Sequence, residues 1–155
     1  MNEGTDSSTD PRNGDVCEKG NYCGQAATQM TACTVGYYCP DPYMETFDSS
    51  LECREGFYCK GGAYSMTPGN YIYYSAAGDD STGDICRQGY YCPQRSSKQF
   101  SCPDSKYMPY EMATADTDCI VCPEGKYCDT SAMYDLSLKD CDAGYYCSGG
   151  AKTAT

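Results

Sequence analysis

One heptapeptide, C-x-x-G-x-Y-C, recurs six times and restricts this chain more than any other feature. The copies are Cys17–Cys23, Cys33–Cys39, Cys53–Cys59, Cys86–Cys92, Cys122–Cys128 and Cys141–Cys147, with Gly at the fourth position and Tyr at the sixth. A seventh copy begins at Cys102 but carries Ser105 for Gly and Met108 for the second Cys; Cys119 is the one cysteine outside the series. An eighth, Met66–Ile72, keeps only Gly69 and Tyr71 in register. Seven extended residues span more than about 20 Å, so two cysteines six apart can bond only if the chain doubles back. The central Gly admits the positive φ that such a reversal requires. The Tyr before the second Cys supplies a ring to cover the disulfide.

Composition sharpens the point. Of 155 residues only 12 are Leu, Ile, Val or Phe, while 14 are Cys and 17 are Tyr, and the net charge is −11. Few aliphatics and high net charge are the signature of disorder, but the cysteine content is that of a disulfide scaffold. Disulfides can replace a core that the sequence is too poor in aliphatics to build.

The repeats carry a longer period. Cys17, Cys33 and Cys53 recur 69 residues on as Cys86, Cys102 and Cys122, and the linkers between them agree in length. A tandem duplication follows, with a first Cys-rich unit over 17–85 and a second over 86–147. The flanks, 1–16 and 148–155, resemble the two halves of the linker between Cys59 and Cys86. Cys147-Ser-Gly-Gly-Ala151 matches Cys59-Lys-Gly-Gly-Ala63, and Gly14-Asp-Val-Cys17 matches Gly83-Asp-Ile-Cys86. The expectation is that 1–16 completes a neighbouring repeat and 148–155 is a tail linker. The chain would then be one period of a longer one, or a subunit that meets its neighbour head to tail.

Two disulfide schemes fit the spacing. Pairing within each hook leaves Cys102 to Cys119, so that the lost partner at Met108 is replaced; this is the favoured scheme. The alternative joins the second Cys of one hook to the first of the next and leaves Cys17 and Cys147 free to bond between subunits. Spacing alone does not choose between them. The linkers, rich in Gly, Pro, Ser, Thr and Asp, favour turns, and no segment has helical periodicity over three turns. Tyr71-Ile-Tyr-Tyr74 suggests a short strand. The expected fold is a small, disulfide-rich, elongated solenoid-like string of repeats with short β-strands and little helix.

Cys102-Pro-Asp-Ser-Lys-Tyr107 followed by Thr117-Asp-Cys119-Ile-Val-Cys122-Pro-Glu-Gly-Lys-Tyr127 resembles the ephrin-receptor-like cysteine-rich repeat, to which tumour-necrosis-factor receptor modules are related. The Tyr-Cys ending of the six hooks departs from the animal pattern. It is closer to the C-x-x-G-Y-Y-C arrays of protist extracellular proteins. The resemblance implies an extracellular, disulfide-bonded, elongated module without catalytic residues. The departure lies in the cysteines themselves, so the family's connectivity is not carried over.

Several chemistries are disfavoured. With no His, the commonest general base and metal ligand are missing. Cys119-Ile-Val-Cys122 lacks the strand-to-helix setting of a redox C-x-x-C, and the hooks leave no thiolates for zinc. Asp79, Asp80 and Asp84 are weak calcium candidates, read first as a solvated turn. The acidic charge disfavours nucleic acid, and no apolar run is long enough for membrane insertion in this segment. No cofactor and no enzymatic activity are expected. The 27 Ser and Thr residues are candidate acceptors for O-linked glycans. The first Tyr of each pair, namely Tyr37, Tyr73, Tyr90 and Tyr145, is an interface candidate, toward another subunit or a surface glycan. The functional expectation is a structural subunit of an extracellular fibre, surface hair or coat that assembles head to tail with itself. A receptor or adhesion ectodomain segment is the alternative.

Overall fold

The computed structural model describes residues 15–69 and 82–155. Among them the regular elements are two- and three-residue strands, with no α-helix and a 3-10 turn at Asp116–Asp118. All 14 cysteines are bonded: Cys17–Cys23, Cys33–Cys39, Cys53–Cys59, Cys86–Cys92, Cys122–Cys128 and Cys141–Cys147 within hooks, and Cys102–Cys119 across the irregular one. Their Cα atoms lie 5.8–6.0 Å apart, so each of the six regular hooks is a closed loop. We number the hooks 1 to 7 in chain order, the irregular hook 5 being 102–108, whose cross-link runs to Cys119.

The strands pair hook to hook. β1 (Asn21–Tyr22) runs antiparallel to β2 (Thr31–Ala32), and β3 (Phe57–Cys59) to β4 (Gly83–Ile85). β5 (Tyr90–Tyr91) pairs with β6 (Phe100–Ser101), and β7 (Lys106–Tyr107) with β8 (Ile120–Val121). Single bridges, Tyr37 to Glu52 and Lys126 to Asp140, do the same at hooks 2 and 6. In all six cases the residues after a hook's Gly (Ser105 in hook 5) pair with the residues just before the next hook's first Cys. This placement follows from the reversal: the fourth residue turns the chain, so its exiting limb lies extended and offers its edge to the incoming segment.

The core is made of sulfur and aromatic rings. Nine cysteines are almost wholly buried, and four clusters each centre on a disulfide. The Tyr before the second Cys does not cover its own disulfide, as the sequence suggested, but the next one. Tyr38 packs on the Cys53–Cys59 cluster, Tyr58 on Cys86–Cys92, Tyr91 on Cys102–Cys119 and Tyr107 on Cys122–Cys128. The reason is the antiparallel pairing, which carries the exiting limb of one hook over the body of its successor. Tyr58, the buried one, contributes roughly 2–3 kcal/mol, and the half-buried Tyr38, Tyr91 and Tyr107 contribute less. Tyr thereby supplies the apolar area that Leu, Ile and Val do not. Met108, buried beside Cys102 and Cys119, fills the place of the missing cysteine.

The copy without cysteines stands outside this order. Hook 3 makes its clasp with hook 4, Gly56 N–H donating to Cys92 C=O and its C=O accepting from Cys86 N–H, both at 2.8 Å; toward the Met66–Ile72 copy Arg54 N–H donates to Met66 C=O at 3.0 Å. Residues 70–72 of that copy, and the strand expected at 71–74, lie outside the described residues.

Candidate functional site: the edges of the terminal hooks

Four backbone hydrogen bonds join each hook to the next, and the same four recur at all six steps with lengths of 2.7–3.0 Å. At the first step Gly20 N–H donates to Cys39 C=O and Cys33 N–H to Gly20 C=O. Cys23 N–H donates to Met44 C=O, and Tyr43 N–H to Cys17 C=O. Tyr43 and Met44 follow hook 2, so a hook and the start of its own linker together grip the preceding hook. Hook 5 makes the same bonds with Ser105 and Met108 in place of Gly and Cys. The clasp is made by backbone groups, and its pattern is the same where the cross-link runs to Cys119 instead of closing the hook.

Two kinds of left-handed residue build it. The hook glycines have φ from +78° to +93°, and Ser105 has φ +73°. Four of these glycines have no room for a side chain: a Cβ on Gly20, Gly36, Gly56 or Gly89 would press on the carbonyl of Gly62, Arg95, Met112 or Ala132, the corner residue after the hook two places on. The corners themselves are left-handed, at Ala26, Tyr43, Gly62, Arg95, Met112, Ala132 and Gly150. Each of them except Ala26 directs its N–H to the first Cys carbonyl of the preceding hook.

The terminal hooks differ from the interior. Among the described residues, Gly144 N–H and C=O, Cys147 N–H and Cys141 C=O of hook 7 have no hydrogen-bond partner. Hook 1 likewise leaves Cys17 N–H, Cys23 C=O, Ala26 N–H and Ala27 C=O without one. A Cβ on Gly125 or Gly144 would meet nothing within 4 Å. Tyr146, the counterpart of the covering tyrosines, is 91% exposed, whereas Tyr58 is 7% exposed. Tyr146 was not among the residues the sequence singled out; the signal was its place as last in a series in which Tyr38, Tyr58, Tyr91 and Tyr107 each cover a successor.

The residues that were singled out are scattered. Tyr37 is half-buried, edge-on to Phe47 with ring centroids 5.0 Å apart, and its hydroxyl accepts from Arg95 Nη1 at 3.2 Å. Tyr90 packs on the Tyr58, Cys86 and Cys92 cluster. Tyr145 is 60% exposed beside Tyr146, and Tyr73 lies outside the described residues. Of the calcium candidates, Asp79 and Asp80 lie outside as well. Asp84 is engaged: Oδ2 accepts from Arg87 Nη2 at 2.6 Å and Oδ1 from Ile85 N–H at 2.8 Å. That hydrogen bond and charge raise the Arg87 guanidinium further above its ordinary value. Among the described residues no group of three His, Cys, Asp or Glu side chains is placed to hold a metal. Cys119 and Cys122 each bond to a different partner, Cys102 and Cys128, so the C-x-x-C is not a dithiol pair.

Surface ion pairs add further fixings between hooks. Lys152 reaches Asp104 at 2.7 Å, tying the tail to hook 5, and Lys126 reaches Asp140 at 2.7 Å. The Lys152 ammonium holds the Asp104 carboxyl below its ordinary range, and Lys139 does the same for Asp129. Asp118 is lowered by the backbone N–H groups of Thr114 and Ala115, which donate to its Oδ2 at 2.7 and 3.0 Å, and by the Thr114 hydroxyl.

No protein-family model matches the chain, and no curated protein is significantly similar to it.

Proposed function

We propose that this chain is a structural subunit of an extracellular fibre, surface hair or coat that assembles head to tail. The observation that carries the reading is the clasp: one set of backbone bonds repeated from hook to hook, with the same groups bare on hook 7. A unit that adds to its predecessor by a fixed transformation builds a solenoid-like rod, and a heterologous contact that does not close extends such a rod into a filament. Seven disulfides with no free thiol are characteristic of secreted and extracellular proteins, and no described helix is long and apolar enough to cross a membrane. The Ser and Thr residues of the linkers serve in this reading as O-glycan acceptors that help to solvate the rod; unmodified masses for every linker peptide would remove that part.

Negative-stain microscopy and sedimentation of the purified oxidised chain test the main reading. Filaments that lengthen with concentration are expected. Discrete, monodisperse particles at all concentrations would overturn it in favour of a receptor or adhesion ectodomain segment.

A further inference from the structure

We infer that the free edge of hook 7 docks on hook 1 of a second copy of this chain by a seventh repetition of the internal clasp. The inference rests on the head-to-tail reading and adds the contact that would carry it. Translating the internal pattern by one step gives four bonds. Gly144 N–H donates to the second copy's Cys23 C=O, and the second copy's Cys17 N–H donates to Gly144 C=O. Cys147 N–H donates to the second copy's Ala27 C=O, and the second copy's Ala26 N–H donates to Cys141 C=O. All eight of these groups lack a partner among the described residues. Two donors and two acceptors on each side match one for one. Exposed strand edges of this kind are templates for adding another chain.

Three further observations agree. First, the tail takes the same path as an interior linker. Gly150 and Gly62 have φ of +80° and +81°, and their N–H groups donate to Cys122 C=O and Cys33 C=O. Asp142 N–H donates to Ala154 C=O twelve residues on, as Arg54 N–H does to Met66 C=O. The tail thus retraces the linker that follows hook 3, and hook 3 pairs with Gly83-Asp-Ile85. The segment leading into hook 1, Asp15-Val16, has the same Asp-aliphatic sequence before its Cys. In the second copy Asp15 and Val16 fall opposite Tyr146 and Tyr145. At hooks 2 and 6 the tyrosines equivalent to Tyr146 donate N–H to the equivalent position, Tyr38 to Leu51 C=O and Tyr127 to Lys139 C=O.

Second, each terminus lacks the apolar complement of the other. No described hook precedes the Cys17–Cys23 disulfide to lend it a tyrosine, and Cys23 is only half-buried while Cys39, Cys59, Cys92 and Cys128 are almost wholly buried. Tyr146, 91% exposed, covers no described disulfide. Seated as Tyr58 sits on hook 4, Tyr146 would close the Cys17–Cys23 disulfide of the second copy. Third, the open space over Gly125 is where the corner residue two hooks on would fall, here Ala26 of the second copy.

Hydrogen exchange at single amides tests the contact. The oxidised chain is exchanged as dilute monomer and as concentrated assembly, quenched, dissociated and read by NMR. The amides of Gly144, Tyr146, Cys147, Cys17 and Ala26 are expected to slow by about tenfold or more on assembly. Assembly with these amides still exchanging freely would overturn the contact and leave the filament reading standing. A chain that never assembles overturns both. Protection already present in the dilute monomer means that the chain covers its own edge, and overturns the contact. In parallel, Tyr146→Ser is expected to weaken association by about tenfold or more with the monomer's melting temperature unchanged; unaltered association would contradict the docking mode.

Discussion

Hooks 3 and 7 are nearly the same segment in different surroundings. Both run C-x-x-G-[FY]-Y-C, both are followed by x-Gly-Gly-Ala, and both are closed by a disulfide between cysteines six apart. In hook 3 the tyrosine before the second Cys is 7% exposed, and in hook 7 it is 91% exposed. A Cβ on Gly56 would press on the Met112 carbonyl, whereas one on Gly144 would touch nothing. A hook's own sequence therefore closes its loop and sets its turn, but its burial is supplied by the hooks that follow. The unit of folding in this protein is the step between hooks rather than the hook.

The comparison can be broken most severely by removing the staples. In the chain-entropy model each seven-residue loop contributes about 2 kcal/mol and the 18-residue Cys102–Cys119 loop about 3 kcal/mol. Full reduction thus removes on the order of 10 kcal/mol from a chain with few aliphatics to fall back on. The expected outcome is loss of all amide protection in the reduced, alkylated chain, interior and terminal hooks alike. Surviving protection at hooks 3 and 4 would show that the backbone clasp stands without the disulfides.

Next in size is the pair Gly89→Ala and Gly144→Ala. Both place a Cβ at positive φ, a strain of roughly 1–2 kcal/mol. Only Gly89 adds an overlap with the Ala132 carbonyl, so its substitution is expected to cost about 3 kcal/mol or more in urea unfolding, and that of Gly144 about 1 kcal/mol. Equal losses would mean that the corner carbonyls give way freely. Tyr58→Ala and Tyr146→Ala divide the same regions by their rings: about 3 kcal/mol for the buried one and under about 0.5 kcal/mol for the exposed one, both measured on dilute monomer.

The smallest expected effect is electrostatic. The Asp118 carboxyl in the 3-10 turn is held below its ordinary range by N–H donors from Thr114 and Ala115. Its folded pKa is lower than its unfolded one, so its contribution is complete above the unfolded value near about 4 and is lost as pH falls through the folded value. Asp118→Asn is therefore expected to lower the melting temperature slightly at pH 6 and to converge with the parent chain at acid pH. A difference that persists unchanged at pH 2 would assign the effect to something other than the charge.

Much of this was legible from spacing. The heptapeptide, the reversal at Gly, the sparse short strands and the exchange of Met108 for a cysteine can all be read along the chain, because each is a local constraint between residues less than twenty apart. The clasp was not legible. It uses N–H and C=O groups, which every residue except proline carries in full, so no residue type marks it. The corner residues were hidden for a related reason: Tyr43, Arg95, Met112 and Ala132 are not residues that announce a left-handed backbone, and only Gly62 and Gly150 give the position away. Which disulfide each tyrosine covers depends on the antiparallel pairing, a non-local fact. Tyr37 and Tyr90, which sequence offered as an outward face, are drawn inward by Phe47, Arg95 and Tyr58.

Hook 5 carries a consequence for how such a chain can change over generations. Its backbone bonds are the same as those of its neighbours although its cross-link runs to Cys119 and its ring is closed by no second cysteine. An ancestor that had exchanged the cysteine at 108 for methionine would have held a solitary thiol at 102 inside an intact frame. It could then wait for a new partner to arise in the neighbouring loop. Hook 5 and its neighbours thus show two arrangements of cross-link on one backbone frame, so the pattern of cysteines is less tightly fixed than the path of the chain.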